Sequence, residues 1–298
     1  MVLAAVFLSG CEAPLVLDGV EQEKRKAVRR SDNLQSLAYN GSTLVVVGNG
    51  GTALVSTDKG QSWVRHKMPE SPFLMAVDAC PDKSFVAIDY RHNLWMADAD
   101  GANWEAKPID TVETPQSLSC DSEGRIWVAG GFSSILSSED RGDSWNEASL
   151  DEDLHITTIQ FVDRDNGLLT GEFGVVARTS DAGQTWEMVE PIPDEFYPQD
   201  AWFETADRGW VVGLNGTISI QRMVAAPGNP RKPTPVIRFT VLPRRAIRCS
   251  PSEVTDWCLA ALVVLVRNRK MPAGTRYTMV CRYAFICVRS VQLTENCG

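Results

Sequence analysis

No apolar run in this 298-residue chain approaches the roughly 20 residues that a membrane-spanning helix needs. Beyond the N-terminus the longest, Trp257 to Val266, is ten residues. There are three histidines, His66, His92 and His155, with no metal-ligand spacing between them, and no Cys-x-x-Cys pair. A zinc site is therefore not expected, and no cofactor is implied. Positive charge is in deficit: 29 Lys+Arg stand against 38 Asp+Glu, a net −9, so nucleic acid is not the expected partner. Hydrophobic residues at 44% and charged residues at 22% are ordinary for a globular chain of one or two domains and argue against wholesale disorder.

The average conceals a division. Residues 1–222 hold 17 Lys+Arg and 35 Asp+Glu (−18), and residues 223–298 hold 12 and 3 (+9), which sum to −9. Cys249, Cys258, Cys281, Cys287 and Cys297, five of eight cysteines, also fall in the last quarter.

Val2 to Leu8 is too short to span a bilayer but suits a signal-peptide core. It runs into Leu8-Ser9-Gly10-Cys11, which resembles the bacterial lipobox, with Cys11 as the lipidated residue. No Lys or Arg precedes the apolar run, so the true start is expected upstream. Glu12 rather than Asp follows the cysteine, which favours the outer membrane under the sorting rule for such lipoproteins. Residues 1–10 are thus read as a signal-peptide remnant and 11–32 as a charged tether.

The strongest pattern is an internal repeat. Ser56-x-Asp58-x-Gly60-x-Ser62-Trp63 recurs as Ser138-x-Asp140-x-Gly142-x-Ser144-Trp145 and as Thr179-x-Asp181-x-Gly183-x-Thr185-Trp186. A worn copy ends at Trp104, so the tryptophans stand at 63, 104, 145 and 186, every interval being 41. This pattern resembles the Asp-box, or BNR, repeat. Asp and Ser/Thr side chains can hold a tight turn through backbone N–H groups, Gly supplies the conformational freedom, and Trp opens the next strand with a large apolar surface. The turn chemistry accounts for each of these residues, so a structural role is expected rather than a catalytic one.

Each repeat reads as four short strands, near 34–39, 43–47, 52–56 and 62–66 in the first and 157–162, 167–170, 175–179 and 185–189 in the fourth. Four strands per repeat of about 40 residues define an all-β propeller blade. A fifth blade begins at Gln199, and the propeller is read over residues 33–222.

The fifth box should follow Ile218 but is missing, and composition changes at Met223. One explanation is a genuine basic, Cys-rich module over residues 223–298; another is a shift of reading frame. Taking the third base of each codon from Ile220 with the first two of the next permits Ser-Thr-Asp-Gly-Gly-Arg-Thr-Trp, a full box in the correct phase. The frameshift is the reading adopted. In the intact frame the 70 residues after Gly228 would hold about 1.7 further repeats, and a ring of about seven blades is expected.

A lipobox followed by such blades resembles the photosystem II stability/assembly-factor-like propellers, over about residues 30–222. The resemblance implies a non-enzymatic scaffold or assembly factor for a membrane protein complex. Its client would be a protein, met in the periplasm or thylakoid lumen, with a lipid anchor in the membrane. Similar lipoproteins of non-photosynthetic bacteria leave the client open. The competing reading is a sialidase or other glycoside hydrolase, since these also carry Asp-boxes. The Arg-Ile-Pro near the first blade that marks sialidases is missing, and the nearest local set, Tyr197, Glu195 and Asp200, reads as an ordinary inter-blade loop.

Loops joining second to third strands lie opposite the box turns. Stepping by 41 aligns Gly50, Arg91, Phe132 and Phe173, with Asn215 one residue late and Tyr90, His92 and Glu172 alongside. Aromatic residues and Arg are enriched at interaction hot spots, so this rim is the candidate protein-binding face. Cys80 and Cys120 close equivalent inner strands of adjacent blades, and an oxidising compartment would permit a disulfide there. Sequencing the gene across codons 215–235 tests the frame: the shifted codons are expected to spell the fifth box, and any other string rules it out.

Overall fold

The structure, a computed structural model, describes residues 17–111, 113–193, 196–214, 217–225 and 235–242, with two short strands at Tyr277–Thr278 and Ser290–Val291. Cys11, Glu195, Asn215 and most of residues 226–298 lie outside the described residues.

Five four-stranded antiparallel sheets follow one another along the chain, each a simple meander. The first comprises β1 (Leu34–Tyr39), β2 (Leu44–Gly48), β3 (Thr52–Ser56) and β4 (Val64–Lys67). The second has β5 (Leu74–Ala79), β6 (Phe85–Asp89), β7 (Asn93–Ala97) and β8 (Trp104–Pro108). The third has β9 (Pro115–Cys120), β10 (Ile126–Gly130), β11 (Ser134–Ser138) and β12 (Asn146–Ser149). The fourth has β13 (Ile156–Phe161), β14 (Gly167–Gly171), β15 (Val176–Thr179) and β16 (Glu187–Met188). The fifth has β17 (Pro198–Thr205), β18 (Arg208–Gly213), β19 (Thr217–Ala225) and β20 (Pro235–Leu242). The boundary read at residue 222 therefore falls inside β19, whose last residues pair with β20 from Met223↔Ile237 to Ala225↔Pro235.

Alternation along the strands explains the stacking, because successive side chains point to opposite faces of a sheet. Val45, Val47, Ala53 and Val55 of the first blade share a core with Leu74, Phe85 and Trp95 of the second. The intervening Val86, Ile88 and Leu94 of the second pack against Ile126, Val128 and Leu136 of the third. Trp127 and Ile135 meet Ile159 and Leu169 in the next layer, and Leu168 and Val176 meet Phe203 and Val211 in the last. Burying each such side chain contributes about 1.5–3 kcal/mol, so both faces of a blade require neighbours. The result is a β-propeller.

The first strands lie against one another in the order β1, β5, β9, β13, β17. Among the described residues no further strand pairs with their inner edges, which leaves backbone N–H groups to be satisfied by other means. Side chains of the preceding blade supply the acceptors. Val77 N–H donates to Ser36 Oγ (3.2 Å) and Cys120 N–H to Asp78 Oδ2 (2.9 Å). Ile159 and Phe161 N–H donate to Ser117 and Ser119 Oγ (3.0 and 3.4 Å), and Phe203 N–H to Gln160 Oε1 (2.8 Å).

The repeated turns are superimposable in their bonding. Ser56 Oγ donates to Asp58 Oδ1 (2.8 Å) and accepts from Gly60 N–H (2.8 Å). Asp58 also accepts from Ser62 N–H (2.8 Å) and Ser62 Oγ (2.6 Å). The same four bonds join Ser138, Asp140, Gly142 and Ser144, and again Thr179, Asp181, Gly183 and Thr185. Gly142 and Gly183 sit at φ +85° and +82° and against the preceding blade. A Cβ there would lie 2.6 Å from Leu94 Cδ2 or 2.2 Å from Trp127 Cη2. Gly142 and Gly183 are thus blade-to-blade contacts as well as turn residues. Trp104 opens β8, but Trp63, Trp145 and Trp186 stand just before the fourth strand rather than within it. Trp145 and Trp186 pack into the core shared with the preceding blade, and Trp63 packs beside Leu34, Val46 and Leu54.

Within the segment read as a charged tether, residues 18–24 form a short helix, α1 (Asp18–Lys24), with no buried residue. The segment after it is docked on the first blade: Arg65 bonds to the Ala27 carbonyl (2.7 Å) and to the Asp32 carboxylate, and Val28 packs near Trp63.

Cys80 and Cys120 form a disulfide with Cα atoms 5.2 Å apart, joining the ends of adjacent inner strands. The double substitution Cys80→Ser/Cys120→Ser is expected to destabilise the protein by about 2–4 kcal/mol in urea unfolding, since a loop of this length is freed in the unfolded chain.

Bonds from Ser62, Ser144 and Thr185 hold the carboxyls of Asp58, Asp140 and Asp181 down at about 2, against an ordinary 3.8. A lowered carboxyl pKa stabilises the fold above the unfolded value, and that contribution is lost as pH falls through the folded one. The urea midpoint is therefore expected to drop between about pH 4 and about pH 2, and Asp58→Asn/Asp140→Asn/Asp181→Asn to flatten that drop.

Candidate functional site

In an antiparallel meander the first and third turns leave one end of the sheet and the second leaves the other, together with the crossover to the next blade. The box turns and the candidate rim are therefore at opposite ends of the propeller.

Three of the rim loops are single 3-10 turns: Asn49–Gly51, Gly131–Ser133 and Glu172–Gly174. Their central residues, Gly50 (φ +63°), Phe132 (φ +48°) and Phe173 (φ +58°), share a left-handed backbone. Gly50 meets this requirement without strain. A phenylalanine in the same conformation costs on the order of 1–3 kcal/mol, so the turn itself gives no reason for the side chain. Both rings point to solvent, Phe132 59% and Phe173 72% exposed. The loops beneath them are fixed: Ser133 N–H donates to the Leu154 carbonyl (2.8 Å), and Ile192 N–H to the Gly174 carbonyl (2.8 Å).

The second blade reaches the same end by other means. Asp89, 1% exposed, accepts from the N–H of Arg91 (2.8 Å) and Asn93 (3.0 Å) and from Trp95 Nε1 (2.8 Å). The left-handed residue here is His92 (φ +62°), the counterpart of Gly51, Ser133 and Gly174, so Arg91 holds the position of Phe132 and Phe173 without their left-handed backbone. Tyr90 is 58% exposed and meets Phe73 edge-on, with ring centroids 6.4 Å apart. Phe73 escaped the 41-residue alignment because it lies in the crossover before β5, not in a second-to-third loop. In the fifth blade the exposed apolar residue is Leu214, beside the undescribed Asn215.

Glu172 connects the fourth and fifth blades. Partial burial pushes its pKa up, but bonds from Tyr197 Oη–H (2.7 Å) and His155 N–H (3.1 Å) outweigh this and hold the carboxyl below its ordinary range. Tyr197 is thus brought to Glu172. Asp200, on β17, accepts from Ala201 N–H (3.0 Å) and Thr158 Oγ1 (3.4 Å) within the inner-strand belt. Tyr197 and Asp200 serve different local structures, whereas Phe73, Tyr90, Phe132, Phe173 and Leu214 share one end.

The molecule is a β-propeller with an aromatic rim on one end, and its likenesses agree with that class. No family model matches the chain. It is 24% identical over 200 residues to the photosystem II assembly protein Ycf48 of Thermosynechococcus vestitus (strain NIES-2133 / IAM M-273 / BP-1), covering 63% of this chain and 56% of that protein. It is 28% identical over 145 residues to the photosystem II assembly lipoprotein Ycf48 of Synechococcus sp. (strain CC9902), covering 47% and 43%. The chain is therefore similar to the photosystem II assembly-factor-like propellers, and it spans about half the length of the curated relatives it matches. In fold it is similar to virginiamycin B lyase from Staphylococcus aureus, with a TM-score of 0.57 at 12% identity over 70% of this chain and 69% of that one.

Proposed function

We propose that this chain is a non-enzymatic scaffold of the bacterial envelope, lipid-anchored through Cys11. It engages a protein client of a membrane complex through the rim that carries Tyr90, Arg91, His92, Phe132, Glu172, Phe173 and Asn215. One observation carries the reading. Of nine large apolar side chains exposed among the described residues, Phe73, Tyr90, Phe132, Phe173 and Leu214 gather at a single end. A soluble surface scatters such side chains, and their concentration marks an interaction face. Two of them are held in a strained backbone that gains nothing from an aromatic ring. The likeness to photosystem II assembly proteins supports the same kind of client.

A glycoside hydrolase of the sialidase type needs arginines converging on its substrate carboxylate. The second-to-third loops and crossovers from residue 68 to 214 carry one arginine, Arg91, so the Tyr197–Glu172 pair does not make such a site.

The experiment is capture of detergent-solubilised photosystem II complexes on the immobilised chain. Arg91→Ala/Phe132→Ala is expected to lower capture at least about tenfold, the size of a lost hot spot, while the β circular dichroism stays unchanged. Equal capture by the folded variant sinks the assignment of this face.

A further inference from the structure

The rim is acidic as well as aromatic. Its crossover loops expose Glu70, Asp110, Asp151, Glu152, Asp153 and Glu190. The Lys/Arg content of the rim loops from residue 68 to 214 is Arg91 alone, which is also exposed. None of those six carboxylates is in an ion pair among the described residues, although such pairs are common elsewhere on the molecule. At the opposite end the charges are interleaved: Asp82 pairs with Arg141 (2.9 Å), Asp121 with Arg125 (2.7 Å) and Asp143 with Lys107 (2.6 Å). The two ends of one propeller thus treat carboxylates differently. The turns of one end intersperse Lys59, Lys83, Arg125, Arg141 and Arg164 among their carboxylates, and the rim loops of residues 68–214 set Arg91 alone among theirs, around exposed aromatic rings.

Uncompensated like charges on one face repel each other, and a partner of opposite sign relieves that repulsion while it is steered in from solution. Given that the rim is the docking surface, we infer that its occupant is a cationic polypeptide segment with apolar anchors, Lys/Arg side chains meeting the crossover carboxylates while the anchors seat between Phe73, Tyr90, Phe132 and Phe173. Lys and Arg suit this arrangement because their aliphatic stems lie along aromatic surface while the charged heads reach the carboxylates, and their cations favour ring faces. An acidic segment would meet the same repulsion that the carboxylates already exert on one another.

The test is fluorescence anisotropy of the full chain with two labelled peptides of about 16 residues that share the same Leu and Phe positions. One bears Lys and Arg at its charged positions and the other Glu. The cationic peptide is expected to bind at least about tenfold more tightly. Its affinity should fall several-fold between about 50 mM and about 300 mM salt, where screening shortens sharply. Asp151→Asn/Glu152→Gln/Asp153→Asn is expected to weaken it at least about threefold. The matched neutralisation at the box end, Asp98→Asn/Glu123→Gln/Glu139→Gln, is expected to leave it unchanged.

Equal or tighter binding of the acidic peptide overturns the inference, as does indifference to the rim neutralisation. Binding of the cationic peptide only after the Lys and Arg of residues 231–289 are changed to Gln would show that the chain's own basic tail fills the rim, which also overturns it. If Arg91→Ala/Phe132→Ala still abolishes client capture when the peptides fail, the rim stands and only the cationic chemistry falls. If capture is untouched, the rim itself is wrong.

Discussion

The architecture depends on how the inner edges of the first strands are satisfied. Strand edges carry unpaired N–H groups, and an uncapped one invites pairing with another chain. Here the edges of β5, β9, β13 and β17 are capped from the side by the preceding blade, through Ser36, Asp78, Ser117, Ser119 and Gln160. A side-chain acceptor occupies less space than a further strand, so the strands can converge without forming a continuous sheet. The disulfide between Cys80 and Cys120 tightens one of these joints covalently at the point where Asp78 already accepts from Cys120 N–H.

The outer parts of the blades are joined by different means. Box glycines in the left-handed region let the third-to-fourth turn press on the preceding blade, where Leu94 and Trp127 fill the space a Cβ would need. Trp127 stacks on Phe161 with centroids 4.4 Å apart, and Arg125 lies over the Trp127 ring while its guanidinium is tied to Asp121. Polar caps at the axis and aromatic packing further out hold the same blade boundary at two radii.

The propeller was legible because a constant interval of 41 between Trp63, Trp104, Trp145 and Trp186 survives any local ambiguity in strand boundaries. The box bonding was legible for the same reason, since each residue type in the turn has one mechanical role. The inner-strand caps were in principle visible: Asp78, Ser119 and Gln160 are also spaced by 41. A polar residue inside a short apolar strand nevertheless has no assignable role until its partner strand is known. Phe73 could not be found from the second-to-third loops, because it reaches the rim from the crossover before β5. Arg91 keeps the position of Gly50, Phe132 and Phe173, but the buried carboxylate of Asp89 organises that loop in place of the 3-10 turn used by its neighbours, which the sequence spacing does not reveal.

The shared turn at Gly50, Phe132 and Phe173 has one further consequence. Its backbone is the same whether the central residue is glycine or phenylalanine, and its hydrogen bonds run through main-chain atoms to the following crossover. Side-chain identity at that position changes the strain carried by the turn but not its geometry. The rim behaves as a set of interchangeable fittings on a fixed frame, so binding preference can drift by single substitutions while the propeller beneath it stays as it is.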